Sequence, residues 1–405
     1  GILMPFWPLW LQSKGLNVEN IGAVMALGIA IKTLTNPMIA GVADVRGERK
    51  RIMSILIFLA VLTFALFHNV QGFWGILVIT LMFQMCWSPN MPLMESLVMQ
   101  TAKQNPINYG RVRLWGSMTF ILSAWGLGYL LKEQPIDLVY WGALLFLMTT
   151  FFTTLSLPDT RIPRPQKGHQ PLIRVLGDRT FVSLVIACGL IQSSHAVYYT
   201  FGTIHWQTAG HSEPVIGWLW AEGVIAEVVL FIWGAALIKK IGATKLIALG
   251  GLAGLIRWVA TGLTDALPAL MILQLLHAFT FAATHLGAIY FIANRIGVYG
   301  MMVTLDEARK RKISIEDVDL LTGSLIGRPK SATFRTADVV GLDTMCFVAN
   351  TAYEKCVDDS ERDMFKVPEY LQKMVDNGWT GQKSGQGFYK KIDKGNIHSI
   401  NIETL

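Results

Sequence analysis

The chain reads as all-α: a polytopic membrane helix bundle followed by a small soluble helical domain. Three observations predict this: high hydropathy, a run of long apolar stretches, and an abrupt change of composition near Phe291-Ile292-Ala293-Asn294-Arg295. Of 405 residues, 52% are hydrophobic and 16% charged, with mean hydropathy +0.42. Such values belong to a chain dominated by transmembrane helices. The basic excess lies before the junction, since from Val298 onward 15 Lys/Arg face 16 Asp/Glu, leaving 20 against 12 earlier. Cations of this kind suit loops beside anionic lipid, so the lipid bilayer is the expected partner and nucleic acid is not. Cys86, Cys188, Cys346 and Cys356 show no CxxC or Cys-His spacing. Neither disulfides, a metal nor a cofactor is therefore expected.

Nine stretches are long enough, at about 1.5 Å per residue, to cross about 30 Å of hydrocarbon. They are expected at 19–43, 51–69, 73–99, 112–131, 136–157, 180–203, 214–238, 244–262 and 267–291. The apolar opening, Gly1 to Leu11, is too short to span and has no basic n-region or cleavage site. It is expected to be the outer end of a clipped first helix rather than a signal peptide. Lys and Arg gather in alternate loops, from Arg46 to Arg51, Lys103 to Arg113, Arg161 to Arg179 and Lys239 to Lys245; the opposite loops offer only Lys14 and Lys132. That asymmetry predicts a multi-pass protein of the cell's inner (plasma) membrane, with the C-terminal domain cytoplasmic. The Pro- and Arg-rich segment 158–179 is the expected cytoplasmic central loop between a first bundle, 1–157, and a second, 180–290.

Motifs then suggest a family. The loop Ala40-Gly41-Val42-Ala43-Asp44-Val45-Arg46-Gly47-Glu48-Arg49-Lys50 resembles the signature cytoplasmic loop of the major facilitator superfamily. It keeps the Asp, the Gly and the basic pair, with Ala40 and Val45 where that family prefers Gly and Arg. Tyr109-Gly110-Arg111-Val112-Arg113-Leu114-Trp115-Gly116-Ser117, together with Pro5-Phe6-Trp7 and Leu276-His277-Ala278-Phe279, looks like the phenylpropionate/proton symporter branch. That branch is itself similar to lactose permease and the nucleoside/proton symporters. The resemblance covers about 1–290 and implies an incomplete major facilitator fold, with nine full spans, a partial first and the last two helices missing. It also implies proton-coupled symport of a small organic anion, an aromatic acid such as phenylpropionate. Missing helices leave cavity-facing groups open to lipid, so low stability and impaired transport are expected.

Ionisable groups within spans cost at least a few kcal/mol each near the bilayer centre, so they usually face protein or a watery cavity. The candidates are Lys32, Glu95, Glu222, Glu227, Arg257, His277 and His285. Glu222 and Glu227 lie about 140° apart around a helix and cannot share one cavity; Glu227, on the face of Trp220, is the expected inward carboxylate. Arg257 or Lys32 suits a solute anion, while Glu227 and His277 suit the coupling proton. Where lactose permease carries a carboxylate one turn after this His, this chain has Thr280. A structural Glu227–Arg257 ion pair, a snorkelling Lys32 and packing roles for His277 and His285 stay open. Asp44, Gly47, Arg49 and Arg113 are expected to lock a closed conformation. Trp7, Trp10, Trp74, Trp87, Trp141 and Trp206 fall near span ends, where indoles settle at headgroup level. Tyr198, Tyr199 and Trp220 either line an aromatic-solute cavity or simply pack.

The tail carries other chemistry. Residues 291–393, through Leu325-Ile326-Gly327-Arg328-Pro329, Asp338-Val339-Val340-Gly341-Leu342-Asp343 and Gly385-Gln386-Gly387-Phe388-Tyr389, resemble the C-terminal helical domain of 3-hydroxyacyl-CoA dehydrogenases; 394–405 is a tail. The pattern predicts helices around Tyr299 to Lys312, from Glu316, from Asp338 through Tyr353, and from Pro368 to Asn377, then a tight turn before an extended end. Asn294 matches that family's active-site Asn, but the nucleotide domain and the His-Glu pair do not precede it. No enzyme activity is expected, and Asn294 is read as orphaned. Self-association through this domain remains open. With no flexible linker between the halves, a chimera joined at local similarity is expected. A membrane carrier, a fragment of a fatty-acid oxidation dehydrogenase and a nonfunctional chimera are the function classes left.

Overall fold

The structure is a computed structural model describing residues 1–104, 109–158, 179–292, 297–323, 331–355, 361–393 and 396–400. It falls into two compact units, Gly1–Gly287 and Ala288–Leu405.

The first unit is helical throughout its described length. Helix α1 is Leu3–Ser13, α2 Val18–Arg46, α3 Arg49–Ala65, α4 Phe73–Trp87, α5 Asn90–Gln104, α6 Tyr109–Leu131 and α7 Leu138–Leu155. Beyond residues 159–178, which lie outside the described ones, come α8 (Arg179–Ser193), α9 (His195–Thr208), α10 (Glu213–Ile241), α11 (Ala243–Leu263), α12 (Leu267–Leu275) and α13 (Thr284–Ile292). Nine spans among the described residues are long and apolar enough to cross a membrane, from Val18–Arg46 to Leu267–Ile292. They follow the expected spans to within a few residues. Three are broken: Pro89 interrupts α4 and α5, Ser194 separates α8 from α9, and a π-turn, Ala278–Ala283, joins α12 to α13. The surface is lipid-like, with Leu263 81% and Met38 70% exposed. Side chains of that size in that number suit hydrocarbon rather than water.

The expectation that the span-end indoles all sit at headgroup level is corrected for three of them. Trp7, Trp10 and Trp206 are buried in the bundle core, whereas Trp74 and Trp141 are exposed. Trp10 stacks on Trp7 at 4.5 Å and on Tyr140 at 5.9 Å. Its Nε1 donates to Asp137 at 3.0 Å, and Lys14 reaches the same carboxylate oxygen at 3.0 Å. The hydrogen bond from Lys14, with that from Trp10, holds the Asp137 carboxyl below its ordinary range. Helix α1 is thus tied to the start of α7 rather than left loose.

Helices α6 and α10 approach along a glycine seam. A Cβ on Gly128 would lie 2.5 Å from the Glu213 carbonyl oxygen, and one on Gly217 2.6 Å from that of Ala124. Only glycine permits this backbone contact.

The second unit has its own apolar core, which includes Met302, Phe334, Leu342, Phe365, Leu371 and Phe388. Its elements are α14 (Val298–Lys310), α15 (Ile315–Thr322), α16 (Phe334–Val340), α17 (Leu342–Lys355), α18 (Glu369–Asp376) and a hairpin of β1 (Tyr389–Asp393) with β2 (Asn396–Ser399). Ser314 caps α15 by accepting from the Asp317 amide, as Ser does at an N-cap. The helix expected from Asp338 through Tyr353 is instead two, because Gly341 at φ 100° ends α16 before α17 begins. Asp338 closes the unit: its carboxylate accepts from the backbone N–H of Phe388 at 2.8 Å and Tyr389 at 2.9 Å. Gly387 makes room, since a Cβ there would lie 2.0 Å from Asp338 Oδ1. The second and third quoted motifs of this domain are therefore one structural joint.

Candidate solute site

Arg257 lies two-thirds along α11 and is 1% exposed, among the largest fully buried side chains. Its Nη1 reaches His277 Nδ1 at 2.9 Å and Thr280 Oγ1 at 3.1 Å, and its Nη2 donates to Gln274 Oε1 at 2.8 Å. The guanidinium carbon sits 4.9 Å from the Tyr198 ring centre and 4.5 Å from that of Trp258. Its Nε, also buried, has no hydrogen-bond partner. The guanidinium's hydrogen-bond partners are an imidazole nitrogen, a hydroxyl and an amide oxygen, and among the described residues no ion pair joins Arg257 to a carboxylate.

That is an unusual way to keep a cation. An isolated buried ion costs several kcal/mol after relaxation. Hydrogen bonds to a charged group return about 1.5–3 kcal/mol each and a desolvated cation–π contact about 2. Three acceptors and two aromatic faces offset the desolvation without neutralising the charge. The site therefore retains a positive potential, with the Nε–H among its unused donors.

The local sequence supplies the cradle. Gln274, His277 and Thr280 recur every three residues, which brings them to one face. The π-turn beginning at Ala278 widens the helix just after His277, a distortion frequent at functional sites. Helix α11 comes close because of Gly250, where a Cβ would fall 2.2 Å from Thr284 Oγ1. Trp220 of α10 donates to Thr203 at 2.9 Å and packs on Tyr198 at 4.7 Å and Tyr199 at 5.9 Å. The result is an aromatic wall beside the guanidinium.

The expected residues fall into place unevenly. Arg257 and His277 touch, and His277 Nε2 faces Glu227 Oε2 at 3.9 Å, with Glu227 12% exposed. A direct Glu227–Arg257 ion pair is absent among the described residues; His277 stands between the two. Lys32 is half-buried on α2 and makes no side-chain hydrogen bond or ion pair among the described residues. Glu95 is exposed, Glu222 is half-buried, and His285 stacks on Phe281 at 6.2 Å. Asp44 and Arg49 form an ion pair around Gly47, which ends α2 at φ 68°. The side chain of Arg113, Asn294 and the segment Leu325 to Pro329 lie outside the described residues. Gln274 and His195 were not among the expected residues. The three-residue repeat was the available signal for Gln274, while His195 arrives from a helix far away in sequence.

Known proteins place this architecture. The MFS_1 like family model matches residues 1–300. The chain belongs to that family. Within the MFS_1 like family, it is 33% identical to "Probable 3-phenylpropionic acid transporter" of Escherichia coli (strain K12), over 73% of this chain and 79% of that protein. The crystal structure of nucleoside transporter NupG superposes with TM-score 0.59 at 14% identity, covering 72% of this chain and 79% of that one, which shows the fold. This MFS_1 like chain is thus a membrane transporter with a second module. Residues 291–391 match the 3-hydroxyacyl-CoA dehydrogenase, C-terminal domain. The "Probable 3-hydroxyacyl-CoA dehydrogenase" of Bacillus subtilis (strain 168) is 52% identical over 28% of this chain but only 14% of that protein. The chain spans a small part of the dehydrogenases it matches.

Proposed function

We propose that the chain carries a small aryl carboxylate, of which 3-phenylpropionate is the type, across the membrane together with a proton. The observation that carries this reading is Arg257: buried, surrounded by neutral acceptors and flanked by the Tyr198 and Trp258 rings. A carboxylate docks on the guanidinium and the aryl group lies on the aromatic wall. His277 and Glu227 exchange the coupling proton, since they face each other at 3.9 Å beside the anion site. Lys32 on α2 offers a further cation on the other half of the bundle. Asp44, Gly47, Arg49 and Arg113 form the basic-side latch, and the Lys/Arg asymmetry supports a cytoplasmic location for that side and for the second unit.

Uptake of labelled 3-phenylpropionate into proteoliposomes, with and without an imposed proton gradient, tests the reading. Accumulation that ignores the gradient removes the coupling; absence of uptake and of counterflow removes the carrier. For the second unit we propose a non-catalytic role, because the match covers only the helical domain. NAD-dependent turnover of acetoacetyl-CoA by the purified chain would overturn that. Exposed Leu320, Leu321, Val340 and Phe347 support self-association through this unit, which chemical crosslinking in detergent checks.

A further inference from the structure

The break between α8 and α9 holds two adjacent side chains, Ser194 and His195, and both reach the Arg257-Trp258 pair. Ser194 Oγ accepts from Trp258 Nε1 at 2.8 Å and donates to the Ile191 carbonyl at 2.7 Å. His195 Nδ1 lies 3.1 Å from the same carbonyl oxygen, and its Nε2 lies 2.9 Å from Thr280 Oγ1. Each contact has one permitted direction. A carbonyl only accepts, so His195 Nδ1 carries the hydrogen, and in the neutral ring Nε2 keeps a lone pair. Thr280 gives its single hydroxyl hydrogen to that lone pair at 2.9 Å in preference to the His277 carbonyl at 3.4 Å. Its own oxygen then stays open to the N–H of Arg257 Nη1 at 3.1 Å.

We infer that His195 is a positioning residue for the anion site: by fixing the Thr280 hydroxyl it holds Arg257 where a solute carboxylate meets it. The chain of donors runs from Arg257 to Thr280 to His195 to the Ile191 carbonyl, and Ser194 steadies the neighbouring Trp258 from the same turn. His195 is fully buried, with Trp258 at 5.1 Å and His277 at 5.4 Å ring to ring, so no solute contact is needed for its effect. Its hydrogen bond toward the site runs through Thr280. The inference rests on the aryl-carboxylate reading above, and the experiment separates the two.

Counterflow of 3-phenylpropionate is measured in proteoliposomes for wild type, R257Q, H195L, H195Q, T280V, T280S and the H195L/T280V double variant. Loss of one charge-assisted hydrogen bond corresponds to about a tenfold change. H195L is expected to raise KM about tenfold with maximal rate within about twofold, because a misaligned cation weakens solute binding. H195Q, whose amide oxygen can take the place of Nε2, restores KM to within about threefold of wild type. T280V matches H195L, T280S, which keeps the hydroxyl, recovers most of the KM lost in T280V, and the double variant is no worse than either single one. Unchanged KM in H195L, failure of H195Q to rescue, or multiplicative effects in the double variant overturns the inference. If H195L does not elute as a single species in detergent, H195N, whose shorter amide falls short of Thr280, takes its place with the same expected KM and the same overturning result. Unimpaired counterflow in R257Q strikes the anion-site reading instead.

Discussion

Arg257 Nη1 lies 2.9 Å from His277 Nδ1, and because a guanidinium has only hydrogens to offer, the imidazole nitrogen must accept. In the neutral ring the hydrogen therefore sits on Nε2, aimed at Glu227 across 3.9 Å. A second hydrogen on His277 has to displace Arg257. Under the proposed symport, protonation and release of the guanidinium are thereby the same event, the physical link such a carrier needs between proton and anion.

Replacing the guanidinium tests the anion site directly. R257Q is expected to raise the KM for 3-phenylpropionate counterflow by about 10- to 100-fold, the loss of one or two charge-assisted hydrogen bonds. R257K keeps the charge but not the fork, and falls between.

Under the proposed mechanism, Glu227 separates coupling from carriage. E227Q is expected to retain counterflow within about threefold yet fail to accumulate solute against a gradient, since exchange needs no net proton movement. Gradient-driven accumulation at the wild-type level in E227Q removes Glu227 from the proton path.

We propose that the α6–α10 seam closes one face of the bundle, since Gly128 and Gly217 bring the two backbones into contact. A side chain at Gly217 forces the helices apart, with an overpacking cost of about 1–3 kcal/mol. G217V is expected to expose the buried Thr203 region, so a cysteine at 203 in a background without the native cysteines reacts faster with a membrane-impermeant maleimide. An unchanged labelling rate speaks against the seam as a closure.

In the second unit, D338A leaves the Phe388 and Tyr389 amides without acceptors. A stability loss of about 1–3 kcal/mol is expected for each buried donor so orphaned, seen as faster hydrogen exchange at those two amides in the full chain.

Two acids of that unit, Asp338 and Asp343, respond to pH in opposite senses. Burial, above all, raises the Asp338 carboxyl above its ordinary range, whereas the Lys383 hydrogen bond lowers that of Asp343. The raised group contributes stability that is full below its unfolded value and lost as pH rises through its folded one; the lowered group contributes stability present above its unfolded value and lost as pH falls. D343N should therefore flatten the acid side of the stability profile of this unit, measured by hydrogen exchange between pH 3 and 7. An unaltered acid limb rejects the Lys383 pairing as its cause.

Span positions were legible because crossing hydrocarbon leaves a long one-dimensional trace that tertiary context does not erase. The fate of Trp7, Trp10 and Trp206 was not, since an indole near a helix end suits a headgroup layer and a core equally. Arg257 and His277 stood out as charges in apolar runs, but the order Arg257, His277, Glu227 depends on helix rotation. Gln274 was visible in principle, three residues before His277. His195 was hidden by its distance in sequence from every partner it meets. Likewise the Asp338 and Gly387 motifs were recognisable separately, while the carboxylate joining them is a property of the fold.

The turn at Ala278–Ala283 has an effect beyond the site it widens. One surplus residue offsets the angular phase of all that follows by about 100°. Gly287, whose absent Cβ would otherwise strike Ile247 Cγ1 at 2.6 Å, meets α11 only in that shifted phase. Deleting a single residue there would rotate the remainder of the span like a key turned a quarter too far, and the teeth beyond it would face the wrong wards.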